Sequence, residues 1–177
     1  MSRQSHRVPA KRPMQTALPV AHGGWQWRRW APAGLAALGV AVSAYLTGVH
    51  YGGTPLLCTG AGGCEQVQAS RFATVAGVPV ALLGLGLYLA LLGIAIWRGR
   101  GGDATPAPVL LVLFGLALAG TLYSAYLTYL ELFVIGAICP WCVTSAMLVT
   151  TICALAAWDL FACDAHERSS GTRCSAG

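Results

Sequence analysis

Four cysteines fall in two close pairs: Cys58 and Cys64 bracket "TGAGG", and Cys139 and Cys142 bracket "PW". Thiols at these spacings can do three kinds of chemistry. Four thiolates can hold a zinc ion, although C-x5-C with C-x2-C fits the usual zinc spacings only loosely. Each pair can be a structural staple, as in secreted loops. Alternatively the pairs can be redox couples, which exchange when a thiolate attacks a disulfide and a second thiol resolves the mixed intermediate. Pro140 suits the first turn of a helix, where its missing N–H costs nothing. Cys139 is then near the N-cap, and Cys142 lies one turn in on the same face. The positive end of that helix stabilises a Cys139 thiolate and makes the pair reactive. The loop pair differs: it encloses five small residues, three of them glycine, so its ring is floppy and able to reach two places.

The elements that position these thiols are membrane helices. The chain has 177 residues, of which 56% are hydrophobic and only 10% charged, whereas soluble domains carry about 25% charged residues. Four apolar stretches, Ala31–Tyr51, Val78–Trp97, Thr105–Leu130 and Ile138–Trp158, each reach the roughly 20 residues that a helix needs to cross a bilayer. None shows the strict alternation of a membrane barrel. The expected fold is therefore all-α, a four-helix transmembrane bundle with an outer loop and a short amphipathic helix between spans one and two. Arg3, Arg7, Lys11, Arg12, Arg28 and Arg29 precede the first span, Arg98 and Arg100 follow the second, and Arg168 and Arg173 follow the fourth. Only Arg71 falls on the other side. By the positive-inside bias both termini are cytoplasmic, in the inner (cytoplasmic) membrane of a cell. The charge of +5 is thus topological and does not point to nucleic acid. Residues 1–30 read as a disordered basic tail, not a cleaved signal, because the apolar run exceeds a signal h-region. Residues 31–160 form the membrane domain, and 161–177 a second disordered tail.

This topology places both cysteine pairs on the oxidising face, while Cys163 and Cys174 should stay reduced. Cys153 reads as a small buried hydrophobe. "SAYLT" occurs at Ser43–Thr47 and again at Ser124–Thr128, each time eleven residues before a cysteine. Spans one and three run in the same direction, so the two copies lie at equivalent depth. "EQVQASRFATVAGVPVALLG" reads as a short amphipathic helix with Val67, Phe72 and Val75 on the membrane face. Glu131 and Asp159 read as solvated interfacial charges, His50 as facing water, and Tyr45, Tyr88, Tyr126 and Trp141 as interface anchors. Location favours a relay over staples. A structural bond gains little from a reactive helix end in a bilayer, whereas a dithiol there has a lipid-soluble quinone as two-electron acceptor.

The segments "SAYLT", "CTGAGGCEQVQASRFATVAGVPVALLGLGLYL" and "YSAYLTYLELFVIGAICPWCVTSAM" resemble bacterial homologues of vitamin K epoxide reductase over about Ala41–Met147. The motif order differs from that of the other bacterial quinone-coupled disulfide-forming family, whose C-x-x-C lies in the first outer loop. The resemblance implies that Cys58 takes electrons from a reduced, secreted or periplasmic thioredoxin-like protein. It implies that Cys64 is the relay mate that exchanges with Cys139, and that Cys142 lies beside the quinone (menaquinone or ubiquinone) and forms an adduct with it. Ser70, with Arg71 and Phe72 adjoining, matches a serine near the quinone, and the Val67–Phe72 segment would be a lid. No fused thioredoxin-like domain follows span four, so a separate partner is implied, in support of oxidative protein folding. Positions that hydrogen-bond the quinone in animal enzymes fall on Ala73 and Ala146, which favours quinone reduction over epoxide reduction. The alternatives are an epoxide or quinone reductase acting on small molecules, and a non-enzymatic membrane scaffold with structural disulfides.

Overall fold

A computed structural model describes residues 23–53, 63–100 and 106–170. Within them are α1 (Gly23–Gly52), α2 (Gly63–Ala69), a 3-10 turn (Arg71–Ala73), two short antiparallel strands β1 (Thr74–Val75) and β2 (Val78–Pro79), α3 (Val80–Arg100), α4 (Ala107–Leu130), a π turn (Glu131–Ile135) and α5 (Pro140–Ser170). Helices α1, α3, α4 and α5 are each long and apolar enough to cross a membrane. They close a ring in which α1 packs on α3 and α5, and α4 on α5 and α3. Leu91, Leu113, Val149 and Ile152 fill its centre together with Tyr88 and small alanines. Leu89, Leu111, Leu122, Met147 and Phe161 point outward and are exposed. Helices apolar on both faces fit a lipid surround.

Small residues let the helices approach. A Cβ at Gly39 would enter the Tyr88 ring, so α1 and α3 meet where side chains allow close contact. At Gly120 a Cβ would lie 2.6 Å from Leu87 and 2.9 Å from Val149, which keeps α3, α4 and α5 together. The strands turn through Ala76 (φ 52) and Gly77 (φ 82), the two left-handed positions of a tight hairpin.

The helices run past the expected boundaries. α1 begins at Gly23 instead of after residue 30, with Pro32 inside it, and α5 continues through residue 161 to Ser170. The reason lies in charges that need each other. Asp159 accepts from Arg28 at 3.3 Å and from Arg98, and the Arg28 guanidinium lies 5.9 Å over the Trp158 ring. Asp159 is therefore a half-buried bridge between three helices, not the solvated charge expected of it. Cys163, expected to be reduced, is disulfide-bonded. Residues 1–22 and 171–177, with Cys174, lie outside the described residues.

Candidate active site

The site begins where α4 ends. After Leu130 the helix widens into the π turn and stops at Gly136, left-handed at φ 68. The Ala137 N–H returns to the Glu131 carbonyl at 3.1 Å, satisfying an end carbonyl as glycine-terminated helices do. Such π turns recur at functional sites. Here the turn carries Glu131, only 3% exposed. A buried carboxylate is costly unless it is hydrogen-bonded. The Glu131 carboxylate accepts the Cys139 backbone N–H at 3.1 Å and also interacts with the Cys142 side chain. The solvated charge expected at this position is therefore a buried group in contact with both cysteines of the C-x-x-C.

Cys139 is fully buried, and its carbonyl accepts the Val143 N–H at 3.0 Å. It is thus the N-cap of α5, with Pro140 in the first helical position. An N-cap side chain faces the next free N–H groups, here those of Trp141 and Cys142. The Cys139 thiol is drawn down to about 7, chiefly by the hydrogen bond from the Cys142 thiol. Burial opposes this, the Cys142 and Trp141 N–H groups assist it, and the Glu131 charge opposes it. Cys139 and Cys142 are both free thiols. Near neutral pH a substantial share of Cys139 is therefore thiolate.

Cys64 reaches this pair because of the residue before it. A Cβ at Gly63 would lie 2.6 Å from the Ile138 carbonyl oxygen and 3.0 Å from its nitrogen. Only glycine lets α2 press so closely on the chain leading into Cys139. Cys64 and Val67 then pack with Ala137 and Cys139 in one buried cluster, and Cys64 itself is disulfide-bonded. Val67 accordingly points into the protein, not to the membrane face expected for it. Cys58 lies outside the described residues.

On the other side of the pair is a cavity of about 350 Å³, within the range of small-molecule sites. Its walls are mainly apolar, and Cys142 and Glu131 line it. Ser70 and Phe72 also line it, from the segment that follows α2, whereas Arg71 does not. The Ser70 hydroxyl donates to the Val67 carbonyl at 2.7 Å. Arg71 is exposed and stacks on Phe72 at 5.0 Å. The repeated motif has a shared geometry: Thr47 donates to the Ser43 carbonyl at 2.7 Å and Thr128 to that of Ser124 at 2.9 Å. Both serines face the cavity from parallel helices. Tyr88, expected to be an interface anchor, is buried against it and donates to the Ser145 carbonyl at 2.6 Å. Tyr126 is exposed, and Tyr45 lies against Trp141 with ring centroids 5.1 Å apart. Ala73 lines the cavity and Ala146 does not. Sequence reasoning passed over Glu131, although the signal was present: an acid inside an apolar run, eight residues before Cys139, is by default functional in a membrane.

A known protein family matches the chain. The model described as "Vitamin K epoxide reductase family" (VKOR) matches residues 30–157, which take in α3, α4, the α2 segment, the C-x-x-C and most of the first and fourth spans. The chain belongs to the vitamin K epoxide reductase family and is a membrane oxidoreductase of that kind.

Proposed function

We propose that the protein oxidises a reduced thioredoxin-like disulfide-forming protein and passes the electrons to a membrane quinone, supporting oxidative protein folding outside the cytoplasm. Electrons enter at Cys58, pass through Cys64 to Cys139, and leave from Cys142. One observation carries this reading. Cys139 packs against Cys64, while Cys142, one helical turn away, lines an apolar cavity. The C-x-x-C therefore joins Cys64 of α2 on one side to a ligand space on the other.

The cavity suits a quinone ring in size and polarity: a mainly apolar lining with a few polar groups fixes orientation. When bound, a quinone supplies a two-electron sink. The residues that would hold it are Ser70, Phe72 and Tyr88, with Cys142 as the thiol at its edge. Ala73 offers no hydrogen bond there, which supports quinone reduction over epoxide reduction. In this direction the Cys64 thiolate, released when the partner reduces the Cys58–Cys64 disulfide, attacks Cys139 of a Cys139–Cys142 disulfide and frees the Cys142 thiol beside the cavity. Arg28 and Arg98 mark the end of the bundle opposite the thiols. We place that end in the cytoplasm, with both termini, and the four cysteines on the outer face.

The test is purified protein supplied with menadione and a reduced thioredoxin-like protein. Cys142→Ala stops quinone reduction, and Cys58→Ala mainly stops electron entry from the protein donor. Full activity in both variants would refute the relay, and turnover of the epoxide in a direct assay would favour the small-molecule reading.

A further inference from the structure

The deepest acidic group in the described part of the bundle has no part in the relay as set out above. Glu131 lies at the junction of cavity and thiol pair. Its carboxylate accepts the Cys139 N–H at 3.1 Å, interacts with the Cys142 side chain and lines the cavity together with Cys142. At 3% exposure it has little access to bulk water. Reduction of a quinone needs two protons as well as two electrons, and the reacting centre is a buried thiolate next to a buried thiol. The Cys142 proton must leave as its sulfur becomes oxidised, and a base in contact with that thiol is already in place.

Resting on the quinone reading above, we infer that Glu131 is a catalytic base and acid: it takes the proton from the Cys142 thiol and delivers it into the cavity as the quinone is reduced. The Cys139 thiolate, the Cys142 thiol, one quinone and one proton from the aqueous rim become one Cys139–Cys142 disulfide and one hydroquinone. The sulfur–sulfur bond forms, the sulfur–hydrogen bond of Cys142 breaks, and both electrons pass to the quinone. One of its two new protons is that of Cys142, carried by Glu131. Other titratable groups around the carboxylate do not replace it. Cys139 and Cys142 face it from the start of α5 and are the reactants. Cys64, from α2, is disulfide-bonded. Tyr88 from α3 and Tyr123 from α4 line the same cavity, but phenols are weak bases at neutral pH. Arg71 and Glu65, near this end of the bundle, are exposed.

A purely structural glutamate, holding the Cys139 N–H and nothing more, is separable from a proton carrier. Glu131→Gln keeps a carbonyl oxygen for that N–H and loses only the base. The measurement is single-turnover reduction of menadione by pre-reduced full-length protein in nanodiscs, read for the wild type, Glu131→Gln and Glu131→Asp. It is joined by a pH titration of thiolate ultraviolet absorbance without quinone and by a melting curve. Glu131→Gln should slow menadione reduction at least about 100-fold, the usual worth of a positioned acid–base group, and Glu131→Asp should recover part of the rate. Without quinone, removal of the charge should move the Cys139 titration below about 7, although quinone reduction is slower. A Glu131→Gln rate within a few-fold of wild type would overturn the inference and leave the relay standing. So would equal losses in Glu131→Gln and Glu131→Asp with lowered melting and an unmoved titration. A wild-type protein that does not reduce menadione overturns both.

Discussion

Gly63→Ala tests the contact on which electron transfer between the two cysteine pairs depends. The added Cβ would stand 2.6 Å from the Ile138 carbonyl oxygen, and ordinary contact begins at 3.4 Å, so α2 must retreat by about 0.8 Å. The obstacle is backbone on both sides and cannot rotate away. Exchange requires the Cys64 and Cys139 sulfurs to meet in line, and a misplacement of about 1 Å can cost on the order of 100-fold in rate. Trapping of a Cys64–Cys139 disulfide should therefore slow by about 10- to 100-fold. The assay uses a Cys58→Ala/Cys142→Ala background with and without Gly63→Ala, follows the mixed disulfide by mass spectrometry after a pulse of oxidant, and stops each point with a thiol-alkylating agent. A companion measurement sets the location of the defect: in otherwise wild-type protein, pre-reduced and mixed with menadione, Gly63→Ala should leave oxidation of the Cys139–Cys142 pair nearly unchanged. Overpacking should lower stability by about 1–3 kcal/mol. Undiminished trapping would show that α2 does not dock Cys64 through this contact. Equal slowing of both reactions would show a general distortion instead of a docking role.

The Cys139 thiolate is held at about 7 first of all by the Cys142 thiol, so Cys142→Ala should move its titration upward toward the ordinary thiol range. Because the folded value is depressed, the thiolate population grows as pH rises through about 7, and a pH series of mixed-disulfide formation in wild-type protein should show that midpoint. Asp159→Asn leaves Arg28 and Arg98 without their shared carboxylate, and Arg98 already has a buried Nε and Nη1 with no partner among the described residues. The loss should be about 3 kcal/mol, at the lower end for buried pairs because Arg28 is partly exposed; thermal unfolding in detergent measures it, and a loss near zero would mean that the bridge does not hold the helix ends. Ala76 adopts φ 52, where a Cβ costs about 1–2 kcal/mol, while glycine costs about 0.5–1 kcal/mol of extra chain entropy. Ala76→Gly should thus raise stability by up to about 1.5 kcal/mol in the same melts, and a destabilised variant would contradict the left-handed turn.

The expected spans near Val78–Trp97 and Thr105–Leu130 lie within a few residues of α3 and α4, because a bilayer demands a minimum run of apolar residues and that run is legible one residue at a time. The C-P-W-C spacing likewise determined that Cys139 caps α5 with Cys142 one turn inside, since capping and helical periodicity are local rules. Charges were misjudged by the same local logic. Glu131 and Asp159 look alike as single acids near the ends of apolar runs, and both read as solvated. A π turn and the Cys139 N–H bury the first, and arginines from two other helices bury the second. Gly63 read as slack in a floppy ring, whereas the tertiary contact with Ile138 makes it the point of closest approach. Val67 turned inward for the same reason. Hydrophobic run length and cap chemistry are properties of neighbours along the chain, so the residue types alone determined the four helices and the order of the thiols. Which sulfur packs on Cys64, which one meets the cavity and which carboxylate stands between them depend on pairs of groups far apart in the chain, and only the packed bundle decided them.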